Sequence, residues 1–160
     1  MRTLVPASIV VAVAAVIAAG CSTQAGPALP PVKPTATIDQ LMEGPVAHAA
    51  EVYWGSVSTI VDKNGITEHF PKTDGEWEAV WASAITLAES GNLLMLGPRA
   101  KDDGDWMTFS SALVDAGWEA VRAAESKVPD QVFEAGEKVY NACTQCHVKY
   151  IPQNAEAARP

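Results

Sequence analysis

The sequence predicts an all-α protein, an antiparallel up-down-up-down bundle of four helices. Three observations carry that expectation. Apolar residues recur three and four positions apart in four successive segments. Two segments open on a capping box, Thr37-Ile-Asp-Gln40 and Thr73-Asp-Gly-Glu76, in which side chains satisfy the first free backbone N–H groups. No segment alternates apolar and polar residues with the period of two that a half-buried strand shows.

The first helix is expected to carry Ile38, Leu41, Met42, Pro45, Ala49, Val52, Tyr53, Val57 and Ile60 on its apolar face. Pro45 lacks a backbone donor, so it should kink the first turns and free the carbonyl of Leu41. Behind the second capping box, Trp77, Val80, Trp81, Ala84, Leu87, Ala88 and Gly91 share a face. A third helix is expected from about Asp105, with Trp106, Phe109, Leu113, Ala116, Ala120 and Ala124 inward. The fourth follows Pro129-Asp130 through Val132, Phe133, Gly136, Val139, Tyr140, Cys143, Cys146, His147 and Tyr150, until Pro152 stops it. The longest link, Asp62 to Lys72, contains Asn64-Gly65 and reads as a turn within an irregular loop. The tryptophans read as core, and Gly136 as a packing glycine or a point of close approach for a helix or cofactor.

Composition narrows the function. The chain has 160 residues, which suits one domain, and its 48% hydrophobic share excludes a disordered acidic tail. A formal charge of −8 argues against nucleic acid, which needs clustered Lys and Arg. The run Asp102-Asp103-Gly104-Asp105 reads as a solvated loop and helix cap. Neither a Ser/His/Asp order, nor a paired-carboxylate motif, nor a phosphate-binding glycine loop occurs, so hydrolytic catalysis finds no support and the chain is not expected to be an enzyme.

Three cysteines cannot close into disulfides without leaving one over. The first, Cys21, ends an apolar run from Leu4 to Gly20 that follows Arg2, the layout of an export signal. Ala18-Ala-Gly-Cys21 resembles the lipobox of bacterial lipoproteins, which implies cleavage before Cys21 and a lipid on its sulfur. The usual leucine three before the cysteine is replaced by Ala18, and a plain cleaved signal or an uncleaved anchor are the alternatives. Ser22 after the cysteine favours the outer membrane over the inner. The expected order is a signal at 1–20, a lipidated and Pro-rich tether at 21–36, a helical domain at 37–152 and a tail at 153–160. Removal of Arg2 leaves the mature chain one unit more negative.

The other two cysteines lie in Cys143-Thr-Gln-Cys146-His147, the attachment motif for c-type haem. Positions i, i+3 and i+4 share one helix face, so two thiols reach two vinyl groups while the imidazole reaches the iron from the same side. A thioredoxin-like pair belongs at a helix N-terminus, whereas this motif lies late in a helix. A zinc site would need further ligands, and His48 and His69 are the other histidines.

A four-helix chain with this motif in its last helix resembles the cytochrome c′ family, the class II c-type cytochromes. The resemblance covers about Thr37 to Tyr150 in architecture, and its one specific motif is Cys143 to His147. Tyr150 matches an aromatic position of the family, whereas Ile151 stands where a base is usual, with Lys149 nearest. The resemblance implies one covalent haem c, held by Cys143, Cys146 and His147, with His147 as the proximal iron ligand. It also implies a distal residue from the first helix.

Bookkeeping along an antiparallel bundle brings Met42 level with His147, which makes Met42 the candidate sixth ligand. His48 sits six residues further on, about 9 Å off level and about 240° round the helix. His69 would have to fold back from its loop, and Met95 and Met107 read as core filler. With Met42 bound, the expected function is single-electron transfer in the periplasm; with Met42 unbound, it is the binding or sensing of nitric oxide or carbon monoxide at an open iron. Peroxidase chemistry at an open haem has no specific residue behind it. The expected partners are redox proteins of the periplasm or membrane and the membrane itself through the lipid, with a homodimer left open.

Overall fold

The computed structural model describes residues 31–151, so the signal, Cys21, most of the tether and the tail at 153–160 lie outside the described residues. Of the described part, 71% is helical, and the protein is all-α apart from one small hairpin. Among the described residues no helix is long and apolar enough to cross a membrane.

The first capping box forms as the sequence predicts. Gln40 N–H donates to Thr37 Oγ1 at 3.1 Å and Thr37 N–H to Gln40 Oε1 at 3.0 Å, opening α1 (Ile38–Leu41). A π-helical turn, Met42–Val46, follows, and α2 (Ala47–Gly55) continues it with helical backbone angles at both junctions. Pro45 acts through register. Ala47 N–H donates to Met42 O five residues back, so the missing Pro45 donor is absorbed by a one-residue shift. That shift buries Val46 and leaves Pro45 exposed, which corrects its place on the apolar face.

The helix stops at Gly55, short of Ile60. The strands β1 (Ser58–Asp62) and β2 (Gly65–His69) pair antiparallel, with Ile60 opposite Thr67 and Asp62 opposite Gly65. The expected irregular loop is therefore a hairpin. Its turn is closed by Asp62, whose carboxylate accepts from Asn64 N–H at 2.7 Å, and by Gly65 at φ +126°. No alternation announced it because neither face is covered: Ile60, Val61 and Ile66 are all exposed.

The second capping box starts α3 (Asp74–Leu94), with Glu76 N–H on Thr73 Oγ1 at 3.2 Å. A short 3₁₀ turn, Gly97–Arg99, leads towards α4 (Asp105–Ser126). Asp102 accepts from the N–H groups of Gly104 at 2.8 Å and Trp106 at 3.1 Å, so the acidic run does cap that helix. Lys127 takes the left-handed conformation (φ 54°) that ends α4, and Pro129 opens α5 (Pro129–Tyr150). Ile151, before Pro152, is extended.

Gly91 of α3 lies against Ser110 and Val114 of α4, and Gly117 against Ala88, so α3 and α4 run in opposite directions. Ion pairs Lys138–Glu119 and Lys149–Asp105 set α5 opposite to α4 in the same way. Tyr53, Val80, Leu87, Val121, Val132 and Val139 are the largest fully buried apolar side chains, one or more from each long helical stretch. Only Trp77 and Trp106 of the five tryptophans are core residues; Trp54, Trp81 and Trp118 are exposed, Trp118 by 54%.

Candidate functional site

On α5 the inward stripe runs Val132, Ala135, Val139 and Ala142. Helical spacing carries it on to Cys143 and Cys146, which are half-buried and packed against the core. Tyr140, Thr144 and His147 stand on the adjoining flank. Opposite them, α1 and the π turn present Ile38, Met42, Glu43 and Val46. Between the two walls lies a cavity of about 770 Å³, within the usual range of ligand pockets.

Cys143, Cys146, His147 and Met42 all line this one cavity. His48 is exposed on α2 and His69 exposed at the end of β2, and neither faces the cavity. Cys21 lies outside the described residues. Among the described residues, no three His, Cys, Asp or Glu side chains converge as a bare metal ion would require.

A smaller cavity of about 40 Å³ shares Met42, Val46, Cys143, Cys146 and His147 with the large one and reaches α3 and α4 at Leu94, Phe109, Ser110 and Leu113. Ser110 is 1% exposed, and its hydroxyl has no hydrogen-bond partner. A buried hydroxyl left unpaired costs about 1–3 kcal/mol, and such groups commonly face a ligand or water.

The thiols are poor nucleophiles. Burial, with the neighbouring Cys146 sulfur, pushes the Cys143 thiol up, and burial alone raises Cys146. Both lie in the last two turns of α5, where the helix dipole also opposes a thiolate. A thiol-disulfide catalyst needs the reverse.

The end of α5 is clamped to the start of α4. The Tyr150 ring meets Trp106 edge-on at 5.0 Å, and its hydroxyl donates to the Asp102 carboxylate. Trp106 Nε1–H in turn donates to Leu94 O at 2.9 Å. Lys149, the base nearest the motif, is paired with Asp105. Sequence spacing singles out neither Ser110 nor the Trp54–Gly136 contact, and it shows Asp102 as a helix cap but not as the partner of Tyr150, because these features depend on a partner more than forty residues away or on none. Gly136 is a point of close approach, and what approaches is Trp54: a Cβ there would lie 3.2 Å from the indole Cδ1. Trp54 Nε1–H donates to Gly136 O at 3.0 Å.

No protein family, curated protein or solved structure matches the chain.

Proposed function

We propose that the protein is a c-type cytochrome of cytochrome c′-like, up-down-up-down architecture, working as a single-electron carrier. The observation that carries this reading is the common cavity of Cys143, Cys146, His147 and Met42. The residues fit haem c. Two half-buried thiols and an imidazole share one face of α5, beside a mostly apolar space of suitable size, and the unpaired Ser110 hydroxyl lines the small cavity that shares Met42, Cys143, Cys146 and His147 with it. The haem supplies one-electron exchange between ferric and ferrous iron.

The chain's own residues divide the remaining work. Cys143 and Cys146 hold the group by thioethers, so retention does not depend on the depth of the pocket. His147 would offer the iron its imidazole nitrogen and Met42 its thioether sulfur, a ligand that favours the ferrous state. Val46, Leu94 and Leu113 keep water from the inner side. The Tyr150–Asp102 and Lys149–Asp105 contacts fix the end of α5 and with it the imidazole. Lipidation at Cys21 would confine the carrier to the periplasmic face of a membrane, the outer membrane by the serine that follows, where it exchanges electrons with redox proteins.

Absorption spectra of the purified protein in both oxidation states test the reading. The expected result is a low-spin haem c spectrum with the far-red ferric band of a methionine ligand, abolished in Met42→Ala. A high-spin spectrum with rapid carbon monoxide binding by the native ferrous protein would assign the gas-binding alternative instead. A protein without covalent haem would overturn both.

A further inference from the structure

A second pocket, of about 450 Å³, opens between the end of α2 and the first half of α5. Spacing on α5 builds one wall, because Phe133, Gly136, Glu137 and Tyr140 stand at i, i+3, i+4 and i+7 and share a face. Trp54 comes across from α2 and lies over Gly136, where no side chain blocks it. Its indole N–H is spent on Gly136 O, which fixes the ring and leaves its π face as the surface offered. The Trp54 and Tyr140 rings meet at 66° with centroids 6.1 Å apart, so they form two adjoining walls of a corner. Phe133, 65% exposed, lines the same pocket. Glu137 is the one charged side chain lining the pocket, and it stands between Phe133 and Tyr140.

Contiguous exposed apolar surface marks interaction sites, and here three exposed aromatic rings and a carboxylate line one pocket. Electron-rich faces set at an angle, with one negative charge beside them, complement a cation whose surface is methyl or methylene. We propose that this pocket is an aromatic cage for a small alkylated ammonium ion, with Glu137 as counter-charge. The chain's formal charge of −8 adds a favourable long-range field. An anion would meet Glu137, and a neutral apolar ligand would leave that carboxylate without a role. Trp54 and Tyr140 also line the cavity of the Cys143–His147 motif, whereas Phe133 and Glu137 line this pocket alone, so substitutions at those two positions test the cage apart from the haem reading.

The test compares choline with its uncharged isostere 3,3-dimethylbutan-1-ol on the purified mature protein, followed by ligand-observed NMR of the nine equivalent methyl protons. Choline is expected to bind about tenfold more tightly than the alcohol, within the range of a cation–π cage. Phe133→Ala and Glu137→Gln should each weaken it several-fold while helical content and the haem spectrum stay unchanged. Retention of the protein on phosphatidylcholine vesicles over phosphatidylglycerol vesicles would place the cation on a lipid; its absence would make the ligand a free solute. Equal affinity for choline and the alcohol, no binding of either, or indifference to both substitutions would overturn the proposal.

Discussion

The two flanks of α4 and α5 are packed by opposite rules. Where α4 meets α3, the helices touch backbone to backbone: a Cβ on Gly117 would lie 2.5 Å from Ala88 N, and one on Gly91 2.5 Å from Ser110 O. Where α5 faces α1, the π turn and α2, the walls stand apart around about 770 Å³. Small residues close one seam, and larger side chains with two thiols and an imidazole line the other. Close-packed interiors hold few voids larger than water. On the cytochrome reading the open flank is the place for the haem, and the closed flank is the part of the fold that does not depend on it.

The sharpest way to break that comparison is to remove the attachment points. On the cytochrome reading, Cys143→Ser with Cys146→Ser abolishes covalent haem, read as loss of haem stain on a denaturing gel and of the haem mass. The damage should be one-sided. Amides of the π turn and of α5 beyond Val139 lose exchange protection, while those around Ala88 and Gly117 keep theirs. Uniform loss of protection would mean that the two flanks are not separate.

The converse experiment fills the closed seam. Gly117→Val places methyl groups where the Ala88 backbone already lies, and overpacking of that kind costs about 1–3 kcal/mol or more. Denaturant unfolding measures the loss, and on the cytochrome reading the haem spectrum of the folded fraction should not change. An altered spectrum would show that the seam sets the cavity's shape. Arg99→Met should cost less. Its buried guanidinium donates to Ala36 O at 3.0 Å and Leu93 O at 3.2 Å, tying the chain before α1 to the end of α3. Losing those bonds should cost about 1–2 kcal/mol, seen as a lower urea midpoint.

Legibility in the sequence followed the same division. Capping boxes, the start of α4 near Asp105 and the stop before Pro152 were readable because each depends on residues within four positions. Rise per residue alone points to Met42 as a residue level with His147, and both line the same cavity. The hairpin could not be read. Its strands cover nothing, so no burial imprinted a period of two on Ser58–Asp62 or Gly65–His69. Trp54, Trp81 and Trp118 were misplaced because a large apolar residue at helical spacing looks the same whether it faces a core or a groove. Ser110 left no signal, because a serine among apolar residues is ordinary until its missing partner is seen.

The smallest effect concerns the clamp that holds the end of α5 to α4. The Tyr150 hydroxyl, with the N–H groups of Trp106 and Gly104, holds the Asp102 carboxyl below its ordinary 3.8. A carboxylate favoured by the fold stabilises it above pH 3.8, and that contribution fades as pH falls through the lower folded value. Partial burial and the same hydrogen bond push the Tyr150 phenol from 10.0 up to about 12, so its contribution is full below pH 10 and fades as pH rises through 12. Asp102→Asn should therefore flatten part of the acid limb of stability and bring the phenol absorbance titration back towards 10.0. The paired acids Asp74 and Glu119, also held low, keep the rest of the acid limb in place. If the phenol titration stays near 12 in that variant, burial alone sets it, and the clamp contributes nothing to holding α5 at the rim of the cavity.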